Sequence, residues 1–168
     1  MSILLNFEIQ SDITVEPLST SDAKAAMKVE FSDDDAYIGT LCKNARLWLE
    51  NYTGLILGVK TVKVTIELER AERYRLSGPV TGIVSVTDAS GYCLQFVKYG
   101  DVIQVEQGGI VQITYQGGYS TVPADIMNDM KKIVAWNYQN RGIDLSNENT
   151  DLLDFPQLAS EWYKRIVI

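Results

Sequence analysis

The sequence predicts an α+β fold: a helical core of two long helices plus shorter N- and C-terminal helices, with an inserted antiparallel β-meander domain. Two periodicities and one length carry that prediction. Apolar residues recur at steps of three and four over residues 32–54 and again over 122–141, the spacing of one helix face. Between them, over about 58–116, the period falls to two and glycine-containing turns come close together. With 168 residues the chain fits a single domain that can bury a core without disulfides or a metal.

Residues 1–16 open with an alternating run, Leu5, Phe7 and Ile9, suited to a strand or an arm whose partner the sequence does not name. After Pro17, Ser19 and Asp22 form a capping box ahead of Ala23, Ala25, Ala26 and Met27, predicting a short helix over about 19–28. Ser32 and Asp35 repeat the device. Asp33, Asp34 and Asp35 also place negative charge at the positive end of a helix dipole. The stripe that follows is Tyr37, Ile38, Leu41, Cys42, Ala45, Trp48, Leu49 and Tyr52, and Gly54 is placed to close the helix in the left-handed conformation.

Val62, Val64, Ile66 and Leu68 then alternate with Thr61, Lys63, Thr65 and Glu67, a half-buried strand. Residues 71–76 are polar and carry no clear period. Gly78-Pro79 marks a turn, and strands are expected over 82–88, 92–97, 102–106 and 110–115. Strands this short, separated by turns this close, imply antiparallel pairing rather than βαβ units. Pro123 opens the second long helix, about 122–141, with the stripe Ile126, Met127, Met130, Ile133, Val134 and Tyr138, and Gly142 at its end. The C-terminal tail, 143–168, contains a last helical piece around 157–165.

Lys and Arg total 15 against 22 Asp and Glu, a net charge of −7, which opposes tight sequence-independent binding to DNA. Residues 1–10 lack the basic start and apolar length of a secretory signal, and no run approaches the ~18 apolar residues of a membrane span. No membrane association is expected, and synthesis in a cytoplasm is. The chain has no histidine, which excludes Ser-His and Cys-His nucleophilic pairs. Without histidine or a CxxC spacing it also offers no zinc ligand set. Cys42 and Cys93 are expected as two core thiols. The acidic triplet lacks the glycine and distal glutamate of a calcium loop, so it reads as a helix start. Gly108-Gly109 and Gly117-Gly118 lack the flanking residues of a phosphate loop and read as turns. The expectation is a protein with no catalytic residues, no bound metal and no cofactor, and hence not an enzyme.

Trp136 lies off the stripe of its helix. Either the tail covers it, through Phe155, Trp162 and Tyr163, or it sits at a subunit contact with Arg141 and Arg46 as salt-bridging neighbours. Trp48 lies on its helix stripe and is expected in the core, although the same helix face is a candidate contact. The tail is too apolar to lie free in water, so it must fold back or dock on a partner. Tyr92, Tyr99, Tyr115 and Tyr119 would be the contacts if the sheet instead served a binding module.

Four stretches taken together resemble tailed-phage head–tail connector proteins. They are PLSTSDAKAAMKV (17–29) with DDDAYI (33–38), LWLENYTG (47–54), QITYQGGYSTVPADI (112–126) and IVAWNYQNRG (133–142), in the family's order. Residues 1–16 have no counterpart there, the tail after Asp144 is only loosely similar, and Asn137 stands where relatives often have Trp. The resemblance implies a homo-oligomeric ring in the virion neck, beneath the portal protein and beside the tail-completion proteins, after assembly in the host cytoplasm from a phage or an integrated prophage. DNA would pass through its channel without specific binding. It implies no cofactor. Arg46, Trp48, Trp136, Arg141, Phe155, Trp162 and Tyr163 would then be subunit or portal contacts. A tail-completion or tail-terminator protein of similar build, and the binding module, are the competing readings.

Overall fold

A computed structural model describes residues 2–141, and the chain divides into two compact units. A β unit takes residues 1–14 and 55–120; a helical unit takes 15–54 and 121–168. The expected tail helix, the Gly142 stop and the tail residues Phe155, Trp162 and Tyr163 lie outside the described residues.

The β unit holds two antiparallel sheets. The four-stranded sheet has the order β1-β2-β7-β4, from β1 (Ser2–Ser11), β2 (Lys60–Leu68), β4 (Val80–Asp88) and β7 (Gly109–Gly117). The three-stranded sheet runs β3-β6-β5, from β3 (Glu72–Arg75), β5 (Phe96–Tyr99) and β6 (Val102–Val105). Pairing between these strands is antiparallel, as the turn spacing requires, yet the order is not that of a simple meander: β7 returns to lie between β2 and β4. Strands β2 and β7 pair without a register shift from Lys60–Gly117 to Leu68–Gly109. Their alternation therefore puts Val62, Val64 and Ile66 on the same side as Tyr115, Ile113 and Val111. That side is buried together with Val86 of β4 and Ile103 and Val105 of β6 in one core cluster. Each such aliphatic side chain contributes about 1.5–3 kcal/mol by leaving water.

Two assignments differ from the sequence reading. The polar stretch 71–76 contains β3, which pairs with β6. Residues 92–95, expected in a strand, make only an isolated bridge, Thr87 to Cys93, before β5 begins at Phe96. The reason is the Asp88 turn: its carboxylate accepts from the N–H groups of Ser90 and Tyr92, and the chain leaves β4 after Leu94 bonds to Val86. Gly118 is at φ +117, and a Cβ there would collide with the Gly58 carbonyl, so only glycine fits. From that position its N–H reaches the Pro79 carbonyl at 2.8 Å.

The helical unit contains α1 (Thr20–Met27), α2 (Asp35–Thr53) and α3 (Ala124–Gln139), each packed on the other two. Ser19 caps α1 as expected, accepting from the Asp22 N–H at 3.1 Å. Gly54 closes α2 in the left-handed conformation, at φ 68. The unit's buried residues include Leu18, Ala23, Ile38, Leu41, Cys42, Ala45, Leu49, Ile126, Met130, Ile133 and Val134.

The second capping box does not form. Asp34 occupies the cap position of α2 and makes no side-chain cap, while Ser32 contributes its carbonyl to the Asp35 N–H. The acidic side chains are taken by other helices instead. Lys24 of α1 donates to Asp35 at 2.6 Å, and α3 claims Asp34. The α2 stripe is corrected in the same way: Tyr37 and Trp48 are exposed, while Arg46 and Thr53 are buried. Both buried polar residues have internal partners, Thr53 through the Leu49 carbonyl at 2.6 Å.

Candidate assembly surface

Arg46 is fully buried, so it is an internal strut and not the surface contact expected of it. Its Nε and Nη2 donate to the two oxygens of Glu16, at 2.7 and 3.1 Å. Its Nη1 donates to Glu50, one turn along α2, at 3.0 Å. The guanidinium fork thereby ties the segment ahead of α1 to the middle of α2. One cation thus stands between two carboxylates, both of them largely covered as well. The same environment acts on Cys42: burial, helped by the Glu16 charge, pushes its thiol up to about 11 from 9.0. Cys93 departs from the expected pair of core thiols, because it is exposed.

Arg141 stays on the surface, at the end of α3, and bridges to Asp34 at 2.9 Å. Tyr138 donates its hydroxyl to the same carboxylate oxygen at 2.6 Å, and the Arg141 guanidinium lies 4.9 Å from the Tyr138 ring centre. The tyrosine and arginine donors hold the Asp34 carboxyl below its ordinary value. The Asp34 carboxylate in turn raises both Tyr138 and Arg141. This three-residue clasp joins the start of α2 to the end of α3.

Trp48 is 39% exposed, and its ring stacks on Tyr52 at 4.9 Å between centres. Trp136 is half-buried. Of the expected contact residues in the described chain, Trp48 and Arg141 thus reach the surface fully and Trp136 in part. The tyrosines proposed for a sheet-based binding face do not share one: Tyr115 is buried in the core, whereas Tyr92 and Tyr99 are exposed. A shallow open groove of about 500 Å³ beside α1 is lined by Thr20, Ser21, Lys24, Ala25, Val29 and Asp35. The Lys24–Asp35 pair that links α1 to α2 belongs to its wall. Among the described residues, no three His, Cys, Asp or Glu side chains gather to hold a metal, and no helix is long and apolar enough to cross a membrane.

The sequence had no way to flag β1 as a surface feature, because its partner was unknown. The structure makes it the outermost strand of its sheet, with Ile3, Leu4, Leu5, Phe7 and Ile9 each 42–51% exposed. Five large apolar residues on one ten-residue edge are far more than a solvated strand needs.

No protein-family model matches the sequence, and no curated protein matches it. Solved structures do. A chain in the virion of the native gene transfer agent (GTA) particle matches with a TM-score of 0.74 at 14% identity, over 98% of this chain and 97% of that one. A chain in the neck of the empty GTA particle, computed with C6 symmetry, matches with the same values. One in the neck of the native particle, computed with C12 symmetry, has a TM-score of 0.66 at 15% identity, over 96% and 97%. This chain has the fold of a chain found in gene transfer agent particles.

Proposed function

We propose that the chain is a structural subunit of the head–tail junction of a tailed phage or phage-like particle, acting as a ring of copies between portal and tail. The observation that carries this reading is the fold match over nearly the full length of both chains, to a protein chain in a particle neck. Those necks were computed with sixfold and twelvefold symmetry, and cyclic symmetry is generated by one face of each copy meeting a different face of the next. Among the described residues, the ion pairs of this surface tie segments of the helical unit together, and Trp48 and Arg141 are exposed on it. The acidic balance of the chain suits a channel through which DNA must slide without being held.

On this reading, Trp48, Trp136 and Arg141 contribute to contacts between helical units. The tail, with Phe155, Trp162 and Tyr163, docks on the portal or a neighbouring copy. Cryo-electron microscopy of particles carrying a tagged copy of this chain tests the reading. Density for the tag in a ring at the neck is expected; purified particles that lack the chain, or carry it elsewhere, would overturn it. Truncation after Thr150 tests the tail separately, with loss of portal binding by a folded domain as the expected result.

A further inference from the structure

We propose that the β unit carries its own subunit contact: the open edge of β1 in one copy pairs with the open edge of β5 in the next. The inference rests on the ring reading and names where that ring is sewn together.

Strand β1 ends the order of the four-stranded sheet, and β5 ends that of the three-stranded sheet. Each therefore presents unpaired backbone groups on its outer side among the described residues. Leu4, Phe7 and Ile9 stand opposite Ile66, Val64 and Val62 of β2, so they continue the core-facing side of the sheet. The β2 residues are buried, whereas these three are 51%, 44% and 42% exposed. The apolar face thus runs on past its own cover. On β5, all four residues are exposed, among them Phe96, Val97 and Tyr99.

Three observations point to a second copy as the occupant. First, the two edges belong to different sheets, and the chain enters β5 from the strand at the far end of the order from β1. Leu94, two residues before β5, bonds to Val86 of β4, and β4 is three strands away from β1. At the usual spacing that is about 14 Å across the sheet. Two different edges are what a head-to-tail repeat needs, whereas β1 against β1 would close a dimer and leave β5 open. Second, the charges are complementary. Strand β1 carries one charged residue, Glu8, and β5 carries one, Lys98, beside Arg73, which lies 5.4 Å from the Tyr99 ring centre. Third, both edges are mostly apolar and neither carries a proline, although Lys98 of β5 stands opposite the buried Ile103.

The test uses the purified full-length chain and two variants, Phe7→Lys and Val97→Lys, each placing a lysine on one edge only. Both positions are exposed, and circular dichroism checks that each variant folds; Ile9→Lys replaces Phe7→Lys if it does not. Light scattering after size exclusion, run up to millimolar concentration, reads the mass. The expected result is that wild type exceeds the 18.8 kDa monomer, each variant alone falls back to it, and an equal mixture gives one-to-one dimers. The mixture is decisive because it restores one intact β1–β5 contact and no second. Assembly that survives both lysines overturns the edge pairing while leaving the ring reading in place. A wild type that stays monomeric, or dimerises without regard to Val97→Lys, overturns it as well. A chain located away from the neck removes the ring reading without touching these masses.

Discussion

Replacing Arg46 by alanine should unfold the helical unit before it affects any surface contact. The substitution removes at least the three hydrogen bonds that the guanidinium gives to the covered carboxylates of Glu16 and Glu50. Breaking one side of a buried ion pair costs roughly 3–5 kcal/mol. The Glu16 side chain keeps 27% exposure and can recruit water, which places the cost near the lower end, about 3 kcal/mol. For a chain of this length that is roughly 6–12 °C in Tm. Trp48 and Trp136 both belong to the helical unit, so tryptophan fluorescence during urea or thermal unfolding reports on that unit. Arg46→Lys keeps the charge but not the fork, and should fall between wild type and Arg46→Ala. A loss under about 0.5 kcal/mol for Arg46→Ala, the size of an ordinary surface change, would refute the strut.

Acid should loosen the Asp34 clasp. A carboxyl held below its ordinary 3.8 stabilises the folded chain above that value, and the contribution disappears as pH falls through the folded pKa. Asp34→Asn should therefore lower stability at neutral pH and remove part of the loss seen in wild type below about pH 4, in denaturation midpoints taken across pH. In thiol titration at pH 8, Cys93 should react promptly and Cys42 only on unfolding. A thiol at about 11 offers roughly a hundredfold less thiolate than one at 9.0, so two prompt equivalents would contradict the buried site. Gly118→Ala should destabilise the β unit by about 2 kcal/mol or more, through strain and collision at the Gly58 carbonyl. Hydrogen exchange of β2 and β7 amides reads that unit directly, and unchanged protection would count against the collision.

Element type was legible wherever one period ran long enough. The α2 and α3 stripes, the Ser19 box, the Gly54 stop and the alternation of β2 all follow from side chains meeting one neighbouring layer. What the sequence could not show were properties decided by residues far along the chain. Ser32 and Asp35 satisfy the local capping pattern, yet Lys24, Tyr138 and Arg141 compete for the carboxylates and win, because those bonds also join helices. Arg46 looks like a surface cation until Glu16, thirty residues earlier, is brought alongside. Trp48 fits the stripe by spacing but falls just outside the strip that α1 and α3 cover. The strand order is hidden for the same reason, since β7 chooses β2 and β4 by complementary faces rather than by closeness in sequence. The candidate surface was thus half readable: its aromatics were visible, but which residues face outward was not.

The two units trade the chain at 14–15, 54–55 and 120–121, and that crossing pattern governs how the protein comes into being and comes apart. During synthesis α1 and α2 emerge early and wait for α3, while strands β2 to β7 are translated in between and can close on β1. The first strand made, β1, stays without its partner until β2 follows, some fifty residues later. A protease that nicks any one crossing still leaves two covalent tethers, so both units travel together on a native column. Only a cut at all three would release either, so the units share three lines of attachment where a simple tandem of domains has one.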